Sequence, residues 1–247
     1  MLSQKNNWED FTRVNYQFLL TMALHKYKIG AVADWQRLDL TGLWRHDVDC
    51  SPQSALAMAK IEQGGGVCAT YYFMLRSNFY NVFEPAVVTI IQSIQAMGHE
   101  VGLHFDADQS DVSSAEALEL ALIKEKNALE SVIGVDIRSF SFHNPSDKTA
   151  GFKDFSYAGL VNAYSSALFS RFKYCSDSNG YWRFTPLEEF LNKSHSEICV
   201  LTHPEWWQAE PLSPRERIAR SVEGRAVATL HQYDTFLESA GRKNILT

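Results

Sequence analysis

Asp47 and Asp49 sit one residue apart in the segment Arg45-His46-Asp47-Val48-Asp49. In an extended chain residues two apart point the same way, so both carboxylates lie on one side. Neighbouring carboxylates repel unless a shared proton or a cation relieves them, and a divalent metal is the simplest relief. Asp49 can ligate the ion while Asp47 stays free beside it. His104, in Gly102-Leu103-His104-Phe105-Asp106-Ala107-Asp108, offers a nitrogen ligand. Asp108 follows close enough to reach back, and His143, in Ser141-Phe142-His143-Asn144-Pro145, is an alternative or additional ligand. Such a mixed nitrogen and oxygen set suits Zn best, with Mn, Fe, Co or Ni also fitting. Paired carboxylates and a water also serve glycoside hydrolysis, but the accompanying histidines and the short Asp-x-Asp spacing favour a metal site.

Distant segments must be brought together to assemble such a site. Short apolar runs with β-branched and aromatic residues predict strands over Leu43–Val48, Val67–Leu75, Glu100–Phe105, Ile137–Phe142 and Ile198–Thr202. Helical patterns fall between several of them. Pro52–Gln63 follows the N-cap Ser51, Pro85–Met97 stops at Gly98, and Ser114–Val132 stops at Gly134. Two further helices bracket the chain: Trp8–His25, with Phe11, Val14, Phe18 and Met22 aligned, and Pro214–Ser239. The aromatic-rich stretch Thr149–Thr185 predicts a short helix and further strands. Alternating strands and helices imply an α/β fold with parallel strands and right-handed crossovers. The leading fold is a distorted (β/α) barrel of about seven parallel strands, with an open doubly wound sheet second.

A barrel gathers functional residues at the carboxyl ends of its strands. Asp47, Asp49, His104, Asp108, His143 and His203 all fall at such ends. Arg76 also ends a strand and is placed to hold a substrate group. Trp206 and Trp207 offer flat faces for a sugar, and serve core packing equally well. A lone histidine is more often structural than functional, so His25, His99, His195 and His231 are read as structural, and His46 as packing away from Asp47.

The rest of the chain sets limits. Its 247 residues are 45% hydrophobic and 21% charged, which excludes a disordered chain. A net charge of −6 opposes a general nucleic-acid coat or an anionic membrane surface. Phe155 to Ser170, an uncharged run of 16 residues, is too short and polar for a membrane span. The start of the chain lacks the basic-then-apolar layout of a secretory signal, so a cytoplasmic location is expected. Cys50, Cys68, Cys175 and Cys199 form no CxxC pair and read as reduced core residues. No repeat or linker divides the chain. One domain is expected over 1–247, with a helical extension over about 1–40. Oligomeric state has no signature here.

The segments WRHDVD, GHEVGLHFDAD, SFSFHNPS and LTHPEWW, in that order, resemble the motif set of the polysaccharide deacetylase family, carbohydrate esterase family 4. The resemblance spans Arg45 to Trp207 and is to a divergent member. It implies Asp47 as general base, Asp49 as a metal ligand, His104 as the first metal histidine and His203 as general acid. It also implies a metal-dependent hydrolase removing N-acetyl groups from a carbohydrate or glycoconjugate precursor. In that chemistry Asp47 takes a proton from water, and the resulting hydroxide attacks the acetamido carbonyl. A backbone N–H in the turn from Asn144 to Ser146 steadies the oxyanion, and His203 protonates the leaving amine. Two positions depart from the family pattern. The second metal histidine falls at Asp108, with Asp106 as competitor. The arginine of the third motif falls at His143, leaving that residue open to ligation. Asp177, ahead of Tyr181-Trp182, loosely resembles a further family motif. Two other readings keep the fold: an amidohydrolase on a non-sugar amide, and a catalytically impaired sugar-binding barrel.

Overall fold

The computed structural model describes residues 8–182, 184–193 and 195–245. In chain order these form α1 (Arg13–Leu24), β1 (Ile29–Gly30), β2 (Gly42–Val48), α2 (Pro52–Gly64), β3 (Thr70–Met74), α3 (Pro85–Ala96), β4 (Glu100–Asp106) and α4 (Ala115–Ile133). There follow β5 (Ser139–His143), β6 (Ser156–Tyr157), β7 (Leu160–Asn162), α5 (Ser166–Arg171), β8 (Lys173–Ser176), α6 (Leu187–Asn192), β9 (Ile198–Thr202) and α7 (Pro214–Ser239).

The strands make one curled sheet in the order β6-β7-β5-β4-β3-β2-β9-β8, with β1 alongside the start of β2. Pairing is parallel except between β6 and β7. The fold is therefore α/β, an open half-barrel of nine strands rather than a closed ring. One edge ends in the β6–β7 hairpin. Its two turn residues, Ala158 and Gly159, have φ of 52° and 75°, the left-handed pair that a tight antiparallel hairpin requires.

Strand periodicity divides the sheet's side chains between two faces. The outer face meets the helices. Trp44 donates from Nε1 to the Tyr16 hydroxyl of α1 at 2.8 Å. The buried Glu62 carboxylate of α2 accepts from Tyr16, from Tyr71 at 2.6 Å and from His46 Nε2 at 2.7 Å. Burial alone would raise the Glu62 carboxyl, but His46, His99 and Tyr16 hold it below the ordinary range. His46 thus faces away from Asp47 and is structural.

Helix α1 turns a different side inward from the expected stripe. Tyr16, Leu19, Leu20 and Ala23 are buried, while Val14 and Phe18 are 77% and 52% exposed. Thr12 caps α1 by accepting from Asn15 N–H, so Phe11 lies ahead of the helix in a short 3-10 turn.

The inner face carries Arg45, Asp47, Tyr72, His104 and Ser141. Gly102 makes room there for Tyr72. A Cβ at position 102 would lie 2.4 Å from the Tyr72 ring, whose hydroxyl is held 2.9 Å from Ser139 Oγ. Gly102→Ala is expected to lower unfolding free energy by about 1–3 kcal/mol, the usual cost of overpacking. Urea denaturation measures this; an unchanged midpoint would show that Tyr72 moves aside freely.

Candidate metal-binding active site

The carboxyl ends of β2, β4 and β5 converge. Parallel pairing sets His104 opposite Ser141 and Asp106 opposite His143. His104 and His143 therefore share the inner face at adjacent levels. Asp49 follows β2 directly. Its Oδ1 lies 3.0 Å from His104 Nε2 and 3.3 Å from His143 Nδ1, and those two nitrogens are 3.3 Å apart. Two ligands at about 2.1 Å from one tetrahedral ion would be about 3.4 Å apart, so the spacing suits a cation between them. Among the described residues, this trio is the group able to hold a metal.

The ring nitrogens are arranged for the same purpose. His104 Nδ1–H donates to the Ser141 carbonyl at 3.3 Å. A carbonyl only accepts, so the neutral ring keeps its Nε2 lone pair for the ion. The Asn144 amide group lies against the His143 ring, with Nδ2 2.8 Å from Nε2. Turned with its oxygen to the ring, it accepts the Nε2 proton and frees Nδ1. Burial alone would raise the Asp49 carboxyl, but His104 and His143 hold it well below the usual carboxylate range. Burial alone would lower His143, but its contact with Asp49 raises it.

Asp47 lies beside the trio. It is 2% exposed, and its Oδ2 accepts from Ser141 Oγ at 3.0 Å. His104 Nε2 is 4.0 Å from that oxygen. Its Oδ1 has no partner among the described residues. The carboxylate is fixed through Oδ2, the oxygen that faces the trio, while Oδ1 is buried. Below it on the same side of β2, Arg45 is fully buried, with its guanidinium 4.6 Å from the Tyr164 ring centre.

His203, just past β9, faces the same cleft. The buried Asp177 accepts from His203 Nδ1–H at 2.7 Å, from the His203 backbone N–H at 3.0 Å and from Trp207 Nε1–H at 2.9 Å. These bonds turn Nε2 outward as the nitrogen that offers a proton. Burial lowers the imidazole pKa, but Asp177, with Asp49 and Glu205 behind it, outweighs burial and pushes it up to about 10. This raised value also sets a stability window. The contribution is complete below the ordinary imidazole value of about 6.5 and is lost as pH rises through about 10. Glu205 is 1% exposed and its oxygens have no partner among the described residues. Burial and the nearby Asp49 push its carboxyl well up.

The remaining expected residues lie elsewhere, apart from Asn144. Asp108 sits on a 3-10 turn after β4, where its N–H donates to Asp106 Oδ1 at 2.9 Å. Its side chain is 66% exposed and pairs with Lys148 at 2.5 Å, outside the metal trio. Asp106 is likewise outside, accepting from Gln109 Nε2 at 2.8 Å. Arg76 binds Glu125 at 2.5 Å and lines a different groove. Trp207 is fully buried against Phe11 and Tyr16, so no sugar stacks on it. Trp206 is half-buried and does not line the cleft. Asn144 does line it, at a φ of 45°. Tyr164, Tyr174 and Phe184 complete its walls, around a volume of about 250 Å³. Those three, and Ser141, carried no signal in the sequence beyond ordinary strand and loop residues.

No family model matches the chain, and no curated protein matches it. Solved structures similar to it include a carbohydrate esterase family 4 pseudoenzyme from Bacillus anthracis, at 14% identity and a TM-score of 0.43, over 74% of this chain and 61% of that one. This chain thus spans less than two thirds of the pseudoenzyme's length. A second is the chitin deacetylase from Colletotrichum lindemuthianum, at 15% identity and a TM-score of 0.44, over 74% of this chain and 81% of that one. A third is a family 4 carbohydrate esterase from Streptomyces lividans in complex with acetate, at 13% identity and a TM-score of 0.43, over 74% and 88%. The structures similar to this chain thus include a chitin deacetylase, a family 4 carbohydrate esterase and a family 4 pseudoenzyme.

Proposed function

We propose that the protein is a metal-dependent hydrolase that removes an N-acetyl group from a carbohydrate or glycoconjugate. The observation that carries this reading is the convergence of Asp49, His104 and His143 between a carboxylate, Asp47, and an imidazole, His203, each held by its own partner. The motif resemblance assigns the same two flanking residues to base and acid.

A divalent cation, Zn in the first instance, would be held by Asp49, His104 and His143, and supplies Lewis-acid polarisation and water activation when bound. Asp47 accepts the proton of the attacking water at the carboxylate edge that faces the trio, while the bond from Ser141 to Oδ2 stops the carboxylate from rotating. His203 donates from Nε2 to the nitrogen of the breaking amide bond. Asp177 keeps that proton in place until it is needed. The Asn144 turn lines the side on which the carbonyl oxygen would lie. Tyr164, Tyr174 and Phe184 give the sugar flat and hydroxyl-bearing walls.

Acetate release from a panel of N-acetylated sugars, with non-sugar amides alongside, tests this reading. Release from at least one sugar, its loss on chelation and its return with Zn are expected. Hydrolysis confined to the non-sugar amides would reject the substrate class. Activity untouched by thorough chelation would reject the metal.

The acid has its own test. Loss of the His203 proton should end activity as pH rises, and Asp177 should hold the alkaline limb above the ordinary imidazole value of about 6.5. Asp177→Asn removes the partner that raises the imidazole, and burial then pulls it down. The limb should fall toward or below about 6.5. A kcat–pH profile with the limb unmoved would separate Asp177 from the acid's function.

A further inference from the structure

A second cavity, of about 380 Å³, lies between the starts of α2 and α3 and one side of α7. It shares no lining residue with the metal cleft. Its charge runs against that of the chain. Arg13, Arg220 and Arg225 line it with Glu84 as the opposing carboxylate, a local excess of positive charge in a protein of net −6. Glu84 is taken by Arg225 at 2.5 Å. Arg220 meets Glu210 only at 3.8 Å, at the exposed rim. Arg13 Nε is buried without an acceptor among the described residues. Burial and the nearby Arg220 both lower the Arg13 guanidinium pKa, so these two cations are close enough to repel.

With Glu84 engaged by Arg225 and Glu210 only at the rim, these two guanidinium groups have little counter-charge to offset their repulsion. A phosphate dianion supplies it and accepts in the forked geometry that guanidinium offers. The neighbouring groups fit the rest of such a ligand. Ser51 and Ser54 bring the start of α2, where the helix field favours an anion. Gln53, Thr229 and Gln232 add neutral donors and acceptors suited to hydroxyls.

We propose that this cavity binds a phosphomonoester of a hydroxylated carrier, with the phosphate between Arg13 and Arg220. The proposal is independent of the hydrolase reading. Thermal melting of the full chain tests it, with inorganic phosphate, glucose 6-phosphate or glucose added. A chelator throughout keeps phosphate from any metal-bearing site. Both phosphates are expected to raise the midpoint saturably, glucose 6-phosphate at the lower concentration, while glucose has no effect. Arg220→Gln, whose side chain is 52% exposed, should not lower the ligand-free midpoint and should weaken binding about tenfold or more. Arg13→Lys, which keeps the charge but loses the fork, should weaken it less than Arg13→Gln. No midpoint shift with either phosphate overturns the proposal. A shift undiminished in both Arg220→Gln and Arg13→Gln also overturns it, by placing the anion elsewhere. An equal response to inorganic phosphate and glucose 6-phosphate overturns the assigned carrier.

Discussion

Asp47→Asn is expected to cut turnover on an N-acetylated sugar by about 10²–10⁴-fold while metal loading stays near one ion per chain. The substitution keeps the shape of the side chain and the bond from Ser141, whose Oγ lies 3.0 Å from Oδ2. It removes the negative charge and basicity of the carboxylate beside the trio. Ion binding should survive because the metal trio does not include Asp47. Metal content and acetate release, measured on the same preparation, check both halves. Full turnover would remove Asp47 as the base. Loss of the metal along with activity would make it a ligand instead.

The second large effect contrasts two residues. His143→Ala should weaken metal binding by more than the roughly 10–100-fold that follows loss of an outer hydrogen-bond partner. Asp108→Ala should leave binding unchanged, because its side chain is 66% exposed and engaged with Lys148. Competition with a chromophoric chelator gives both affinities. Weakened binding in Asp108→Ala, with normal binding in His143→Ala, would reverse the assignment of the third ligand. The contrast also bears on the impaired-barrel reading, whose support was the aspartate at position 108. With His143 beside Asp49 and His104, the donor set has one carboxylate and two imidazoles without it.

The contrast between Asp108 and His143 also shows where the sequence was readable. Runs such as Ile198–Thr202 were legible to the residue, because a strand covered on both faces is apolar throughout. The strand ends were legible for the same reason, since Asp47, His104, His143 and His203 interrupt or terminate such runs. Asp108 was not, because spacing alone does not say when a strand stops. β4 ends at Asp106, and Asp106 itself captures the Asp108 N–H and turns the chain outward. The β6–β7 edge was equally obscure. Its turn is Ala158-Gly159, without the Asn or Asp that ordinarily announces such a hairpin. Trp207 reads as a sugar platform only until its indole N–H is seen to serve Asp177. Partners separated by 30 residues leave no local mark.

The trio of donors has a consequence for the life of the chain. Asp49, His104 and His143 come from strands joined through α2, α3 and α4, so they meet only after those crossovers have closed. An unfolded chain offers an ion scattered groups and no assembled site. Binding that discriminates in this way pulls the folding equilibrium by mass action, by about 2.7 kcal/mol when free ion stands a hundredfold above Kd. If the proposed ion binds, the protein would open less often and survive longer against proteolysis. Scarcity of the ion would then lower the amount of protein as well as the rate of each molecule, and the two losses would multiply.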